Sequence, residues 1–227
     1  MAKNKVKDVQ DNNAEALENA LTRTEQYIES NQKSLIIIVL AIIVIVGTFL
    51  GYRKLYIAPM EKEAQSQVFA AEQYFEEDAY DLALNGDGNY LGFLDIIKSY
   101  GPTKVANLSH YYAGISYRAM GEYETAIYHL KRFSTNDNMV ASVAYGAIGD
   151  CYVQLENFSE GVKFYVKAAK TGKNEFSTPL YLLKAGMVYE ELGKNAEALK
   201  LYETIKKDYS KSPEAREIEK YITRATK

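Results

Sequence analysis

Histidine and cysteine supply much of the nucleophilic, proton-transfer and metal-binding chemistry of proteins, and this chain has few of them. The sequence contains two histidines, His110 and His129, and one cysteine, Cys151. No HExxH, CxxC or GxSxG pattern surrounds them, and no GxxxxGK phosphate loop occurs. A single cysteine also excludes an internal disulfide and a cysteine-rich metal site. We therefore expect no enzyme activity, a packing role for His110 and a buried helical position for Cys151.

Oxygen ligands for a metal ion are concentrated around the loop sequence NGDGN (85–89). Asp87, Asn89 and Asp95 supply carboxylate and amide oxygens there. An EF-hand loop needs more ligands at fixed spacing and a terminal Glu, which this segment lacks. Asn, Gly and Asp are also the residues that favour tight turns. The segment therefore predicts a plain turn, and we expect neither a metal nor a cofactor.

Three octets repeat one pattern, with Gly at the fifth position and Tyr at the eighth. They are HYYAGISY (110–117), YGAIGDCY (145–152) and LLKAGMVY (182–189), which are 35 and 37 residues apart. A small residue stands nine positions after each closing Tyr, and a large residue stands four positions further on. The small residues are Ala126, Gly161 and Ala198, and the large ones are Leu130, Tyr165 and Tyr202. Equal spacing in three copies indicates an internal repeat.

The pattern resembles the tetratricopeptide repeat, a helix-turn-helix unit of about 34 residues with a W-x₂-L-G-x₂-Y…A-x₃-F signature. The Trp position is filled by His110, Tyr145 and Leu182. The resemblance implies an all-α fold, in which one N-terminal transmembrane helix is followed by a tetratricopeptide-repeat-like helical solenoid. The repeat glycines would let the second helix of each pair approach the first, and stacked pairs would form the core.

The soluble part divides into three segments. Residues 60–103 predict a degenerate helix pair, whose helices cover 60–84 and 90–100 on either side of the loop. Residues 104–211 contain the three repeats. Residues 212–227 predict a capping helix, with Ser212 as the N-cap and Pro213 at the first helical position.

An apolar strip precedes the repeats and predicts a transmembrane anchor over residues 34–57. Leu35 to Tyr52 is 18 residues without a charge, and a helix of that length covers roughly 27 Å, close to the thickness of a bilayer core. The strip lacks the polar stripe of a core helix. No small-x-small cleavage site follows it, so we interpret it as an uncleaved anchor in contact with membrane lipid. Tyr52 and Tyr56 are placed where aromatic rings favour the membrane interface.

Residues 1–33 predict an acidic amphipathic tail. Ala14, Leu17, Leu21, Thr24 and Ile28 recur at helical spacing, and the opposite face is rich in Glu. Helices that lie on a membrane surface are usually rich in Lys and Arg, so contact with a protein is favoured over contact with anionic lipid. A solvated helix without a partner is the alternative.

Net charge excludes one class of partner. The chain of 227 residues has a formal net charge of −3, and no block of basic residues follows the anchor. A protein that binds nucleic acid needs a basic surface to follow the phosphate backbone. We therefore expect no nucleic-acid partner.

The order of tail, anchor and repeats resembles the YfgM-like ancillary subunits of the SecYEG translocon, with TEQYIESNQKSLIII and GYRK as the local similarities. The resemblance implies a single-pass protein of the bacterial inner membrane, with a cytoplasmic N-terminus and periplasmic repeats. Its implied partners are SecYEG, the membrane-anchored prolyl isomerase PpiD and exported client proteins. The flanking charges do not select an orientation, because Arg23 and Lys33 precede the anchor while Arg53, Lys54 and Lys62 follow it.

Two other functions remain open. The chain could be a repeat scaffold of another cell-envelope assembly complex, or an adaptor tethered to the membrane and facing the cytosol. Co-purification with the translocon and a reporter fused after Lys227 would distinguish the three.

Solenoids bind partners on the groove formed by the first helix of each pair. In the first repeat, Tyr111, Ile115 and Arg118 share a face that differs from the packing face of Gly114 and Tyr117. The equivalent positions are Gly146, Asp150 and Val153, followed by Leu183, Met187 and Glu190. We select six of these as candidate partner-binding residues: Tyr111, Ile115, Arg118, Asp150, Met187 and Glu190.

Overall fold

The computed structural model describes Ile28 and residues 30–227. The chain divides into two compact units, of which the second begins at Pro59, the second residue of a helix that starts at Ala58. Most of the predicted tail, including Ala14, Leu17, Leu21 and Thr24, lies outside the described residues. Ile28 is helical and exposed.

In the first unit, helix α1 (Gln32–Tyr52) is followed by a π-helical turn, Arg53–Ile57. None of the α1 side chains is buried, as the absence of a polar stripe predicted. The helix is long and apolar enough to cross a membrane. At its end the rings of Tyr52 and Tyr56 stack with their centroids 5.3 Å apart.

The second unit is helical throughout, and no strand occurs in the part of the chain that the structure describes. Its helices are α2 (Ala58–Gln67), α3 (Phe69–Glu76), α4 (Tyr80–Asn85), α5 (Phe93–Ser99), α6 (Lys104–Ala119), α7 (Tyr123–Leu130), α8 (Asn138–Gln154), α9 (Phe158–Gly172), α10 (Ser177–Glu191), α11 (Asn195–Asp208) and α12 (Ile218–Ala225). Helices α6, α8 and α10 are the first helices of the three predicted repeats, and α7, α9 and α11 are their second helices. The all-helical prediction is confirmed for the described residues.

The single helix predicted over residues 60–84 was wrong, because α2, α3 and α4 occupy this segment. The chain leaves the helical conformation at Asp78, whose φ of 57° lies in the left-handed region. The NGDGN loop is a turn, as predicted. Gly86 has a φ of 74°, and a Cβ at this position would overlap the carbonyl oxygen of Tyr90.

The repeat glycines pack against the large residues that the spacing selected. A Cβ at Gly114 would lie 2.5 Å from Cγ of Leu130, and one at Gly149 would lie 2.6 Å from Cδ1 of Tyr165. Gly186 faces the ring of Tyr202 in the same way. These distances are shorter than real carbon contacts. The prediction that the glycines allow close approach of paired helices is therefore confirmed.

The C-terminal segment caps the last repeat. The Ser212 hydroxyl accepts a hydrogen bond from the backbone N–H of Ala215, at 3.2 Å. However, a 3₁₀ turn, Glu214–Glu217, comes before α12, so the predicted helix after Pro213 begins later than expected. Ile218 and Tyr221 of α12 join the core that contains Tyr202. Helix α12 therefore covers the apolar end of the stack.

Candidate protein-binding groove

Asp150 joins the first helices of all three repeats. Its Oδ2 atom accepts a hydrogen bond from an Arg118 guanidinium N–H on α6, at 2.7 Å. Its Oδ1 atom accepts from Nζ of Lys184 on α10, also at 2.7 Å. The Tyr165 hydroxyl donates to the same Oδ1 at 2.7 Å. We call Arg118, Asp150 and Lys184 the charged row.

The charged row faces solvent. The side chains of Arg118 and Lys184 are each 36% exposed, and that of Asp150 is 24% exposed. These residues line a groove of about 420 Å³. Tyr165 lies beneath them and is buried. Burial, and next the Asp150 carboxylate, raise the pKa of the Tyr165 hydroxyl, so this group remains a donor to Asp150.

Exposed apolar side chains occupy the N-terminal part of the same helices. Leu108, Val143 and Leu180 stand at equivalent repeat positions, and each is 37% exposed. Met139 stands one turn earlier on α8, and Phe176, which directly precedes α10, is 81% exposed. We call these five residues the apolar row. Because exposed hydrophobic residues recur at one position of three successive repeats, the row is a candidate contact area.

The structure brings together two of the predicted groove residues, Arg118 and Asp150, and adds Lys184. When the three octets are aligned, the position equivalent to Asp150 in the third repeat is Met187, which lies one turn away from Lys184. Counted from the start of each octet, Arg118, Asp150 and Lys184 hold positions 9, 6 and 3. Contacting positions therefore shift by three residues from one repeat to the next. The apolar row was missed as well, although its spacing of 35 and 37 residues matches that of the octets.

The other predicted groove residues lie in different surroundings. Tyr111 and Ile115 are half-buried and pack against the core of the first repeats; the Tyr111 ring lies 5.2 Å from that of Phe133. Met187 is 41% exposed. Glu190 forms an ion pair with Arg224 of α12, so the capping helix already contacts this residue. A binding role for each of these residues stays a prediction.

The histidines form a packed pair between α6 and α7. Their Nδ1 atoms lie 3.0 Å apart, so one ring donates a hydrogen bond and the other accepts it. His129 is buried. Burial, followed by the nearby His110 and Arg132, lowers the pKa of His129 to about 4. This geometry is that of neutral core histidines.

The remaining candidates for chemistry have structural partners. Cys151 is fully buried, and burial raises the pKa of its thiol to about 12. Oδ1 of Asp87 accepts hydrogen bonds from the backbone N–H groups of Asn89 and Tyr90, and Oδ2 accepts from the Tyr74 hydroxyl. Over Ile28 and residues 30–227, no three His, Cys, Asp or Glu side chains come together as a metal site.

The model of a tetratricopeptide-repeat family matches residues 109–137 and 181–212, which fall in the first and third predicted repeats. No curated protein matches the chain. One similar solved structure is the Podosopora anserina putative kinesin light chain with nearly identical TPR-like repeats, at 15% identity and a TM-score of 0.53, covering 72% of this chain and 85% of the other. A second is the MamA protein, at 18% identity and a TM-score of 0.53, covering 71% of this chain and 89% of the other.

Identities this low establish the fold alone. The predicted fold class is confirmed: a tetratricopeptide-repeat-like helical solenoid comes after an N-terminal helix that is apolar enough to span a membrane. Such a scaffold is suited to protein–protein interaction. The second repeat lies outside the family match, yet α8 and α9 pair through Gly149 and Tyr165 just as the other repeats do.

Proposed function

We propose that the protein is a membrane-anchored scaffold that binds segments of other proteins in the groove of α6, α8 and α10. The observation that carries the proposal is the apolar row, in which one exposed position recurs as Leu108, Val143 and Leu180. The inner packing positions of the same helices are buried, so the row is not needed for stacking. Its exposure is explained by a partner that covers it.

The proposal includes a partner complex and a compartment. The scaffold accompanies the SecYEG translocon and PpiD in the bacterial inner membrane, and its repeats assist newly exported proteins in the periplasm. The support is the resemblance of the tail, the anchor and the GYRK flank to the YfgM-like subunits. This arrangement requires a membrane anchor, and α1 is long and apolar enough to be one.

Site-specific crosslinking tests the groove. A photoreactive residue placed at Val143 in the full-length protein should crosslink SecYEG, PpiD or a chain arrested during export. The same residue at Glu203, an exposed position on α11, is the matched control. With the photoreactive residue kept at Val143, the variant Leu108→Asp/Leu180→Asp should lose groove crosslinks while its helical content is retained. Equal crosslinking from both positions would place the contact elsewhere.

Orientation and anchoring are tested separately. Alkaline phosphatase fused after Lys227 should be active, whereas an active cytosolic reporter at the same place would support the tethered cytosolic adaptor. Exchange of residues 34–52 for an unrelated anchor should weaken co-purification with SecYEG, because helices recognise each other in lipid by side-chain packing. Recovery of another envelope complex in place of SecYEG would contradict the proposed partner.

A further inference from the structure

Charged side chains of the three repeats are segregated between two edges of the stack. Because the helices of a pair are antiparallel, the turns that leave each pair lie at one end of the helices and the turns inside each pair lie at the other. Seven Lys and Arg and three Asp and Glu occupy the first set of turns, residues 131–137, 170–176 and 206–212. Six Glu and one Lys occupy the second set, residues 119–124, 155–160 and 191–197. We call these sets the basic edge and the acidic edge.

Hydrogen bonds fix neighbouring turns of the basic edge against each other. Near the start of α6, Nδ2 of Asn107 donates to the carbonyl oxygen of Ser134, at 2.8 Å. Near the start of α8, the Ser142 hydroxyl donates to the carbonyl oxygen of Ala168 at 2.9 Å and lies 3.2 Å from the Ser177 hydroxyl of α10. The starts of the first helices and the ends of the second helices therefore share this edge.

The basic edge presents its positive charge to solvent. Lys206 is paired with Glu219. Of the three carboxylates on the edge, that of Asp137 accepts hydrogen bonds from the backbone N–H groups of Met139 and Val140. All seven cations are exposed, and they are Lys131, Arg132, Lys170, Lys173, Lys206, Lys207 and Lys211. The edge therefore keeps an accessible excess of cations.

Helix dipoles account for part of this segregation. They favour acidic residues at helix starts and basic residues at helix ends, which is the pattern of the second helices α7, α9 and α11. The first helices do not follow it, because α8 and α10 have no acidic residue in the first turn and no basic residue in the last turn. Helix α10 even ends in Glu190 and Glu191. Helix stability therefore does not explain the whole pattern, whereas an anionic partner at the basic edge does.

Two exposed apolar side chains accompany the cations of the basic edge. Met139, 54% exposed, follows the first turn, and Phe176, 81% exposed, closes the second. Asn174 orders the second turn, because its Oδ1 atom accepts hydrogen bonds from the backbone N–H groups of Phe176 and Ser177, at 2.8 and 2.7 Å. Apolar side chains bordered by Lys and Arg are the combination that binds the interface of an anionic membrane.

We propose that the basic edge docks the repeat unit on the surface of the bilayer that holds α1. Its Lys and Arg contact anionic phospholipid headgroups, and Met139 and Phe176 enter the boundary between headgroups and acyl chains. This proposal rests on the membrane anchor of the proposed function. Six residues, 53–58, separate α1 from the start of the second unit, so the tether keeps the unit near the membrane whatever its orientation. The tether favours the bilayer over an acidic protein, which must be captured from solution.

Two labelled positions test the proposal in the full-length protein. Asn136→Cys places a fluorescent dye on the basic edge, and Asn195→Cys places it on the acidic edge; both positions are exposed, whereas Cys151 is buried. The protein is reconstituted in phosphatidylcholine nanodiscs with nitroxide-labelled headgroups, with or without phosphatidylglycerol. With phosphatidylglycerol, the nitroxides should quench the dye at Asn136 more than the dye at Asn195. The difference should shrink without phosphatidylglycerol and at higher salt.

Variants assign the docking to residues. Lys170→Gln/Lys173→Gln should lower the ratio of docked to free protein roughly 30-fold, since each cation near an anionic surface contributes about five-fold. Phe176→Ser should lower the ratio about five-fold, because the ring is only partly inserted. The matched control Lys194→Gln/Lys200→Gln removes two exposed cations outside the basic edge and should leave the ratio unchanged. Circular dichroism verifies that each variant keeps its helical content.

Three results would overturn the proposal: equal quenching at Asn136 and Asn195 with phosphatidylglycerol, quenching at Asn136 that does not depend on phosphatidylglycerol, or an unchanged ratio in Lys170→Gln/Lys173→Gln. Equal quenching is the result expected if an acidic protein is the occupant. Crosslinks from Val143 to the translocon together with equal quenching would leave the proposed function standing and refute the docking. Release of the full-length protein from membranes by alkaline carbonate would instead refute the anchor on which both proposals rest.

Discussion

Replacement of Gly149 by Ala should destabilise the solenoid, even though Ala is the better helix former. The new Cβ would lie 2.6 Å from Cδ1 and 2.7 Å from Cε1 of Tyr165. The ring has little freedom to move, because it is buried and its hydroxyl is held by Asp150 at 2.7 Å. The clash must therefore separate α8 from α9 or break the hydrogen bond to Asp150.

The magnitude follows from two opposing effects. Overpacking of a tight core costs about 1–3 kcal/mol, and the fixed ring places this site near the upper limit. Better helix propensity of Ala offsets about 1 kcal/mol. We therefore expect a net loss of about 2 kcal/mol in the free energy of unfolding, or a Tm lower by about 4–8 °C for a chain of this size.

A double-mutant cycle isolates the clash. Unfolding of the full-length protein in detergent is followed by circular dichroism for the wild type, Gly149→Ala, Tyr165→Val and the double variant. In the Tyr165→Val background the ring atoms are absent, so Gly149→Ala should be neutral or stabilising by up to about 1 kcal/mol. An equal cost of Gly149→Ala in both backgrounds would refute the reasoning, as would a single variant as stable as the wild type.

Three further predictions concern polar and titratable groups. The buried neutral form of His129, with a pKa of about 4, contributes stability above the unfolded pKa near 6.5; up to about 3 kcal/mol should be lost as pH falls from 6.5 towards 4. The free energy of unfolding, measured with denaturant across this pH range, should fall less steeply with decreasing pH in His129→Gln than in the wild type. Cys151 should react with a thiol reagent at pH 8 only after denaturant is added, because the thiol is buried and its pKa is about 12; rapid reaction of the folded protein would contradict this. Asp150→Asn should lower the free energy of unfolding by about 1–2 kcal/mol, since its charged partners Arg118 and Lys184 are partly exposed and can be hydrated; Tyr165→Phe should then cost less in that variant than in the wild type.

Local pattern was sufficient for the elements and for their packing in pairs. The octet spacing selected Gly149 and Tyr165 as packing positions of one helix pair, because both positions are set by the 3.6-residue period within one repeat and a short turn between its helices. The uncharged strip from Leu35 to Tyr52 predicted the apolar helix because composition and length alone decide whether a segment can span a bilayer. Both predictions depend on residues that are close in the chain.

Breaks inside a helical pattern were less predictable. Residues 60–84 keep helical spacing and contain no Gly or Pro, yet the chain turns at Asp78. Asp is one of the few residues other than Gly that tolerates a positive φ. Packing decides whether it adopts that conformation: Phe75 lies near Phe93 and Tyr112, in a core to which α3, α5 and α6 all contribute.

The composition of the groove was decided by the tertiary structure. A comparison of equivalent positions selected Arg118 and Asp150 from the sequence but could not find Lys184, because the three-residue shift between repeats arises from the angle at which neighbouring helix pairs stack. The same stacking brings Arg224 of α12 against Glu190, which the sequence selected as a candidate partner-binding residue. Sequence periodicity determines which face of each helix is apolar or charged, whereas the contacts between faces of different repeats depend on the rotation of each pair relative to the next.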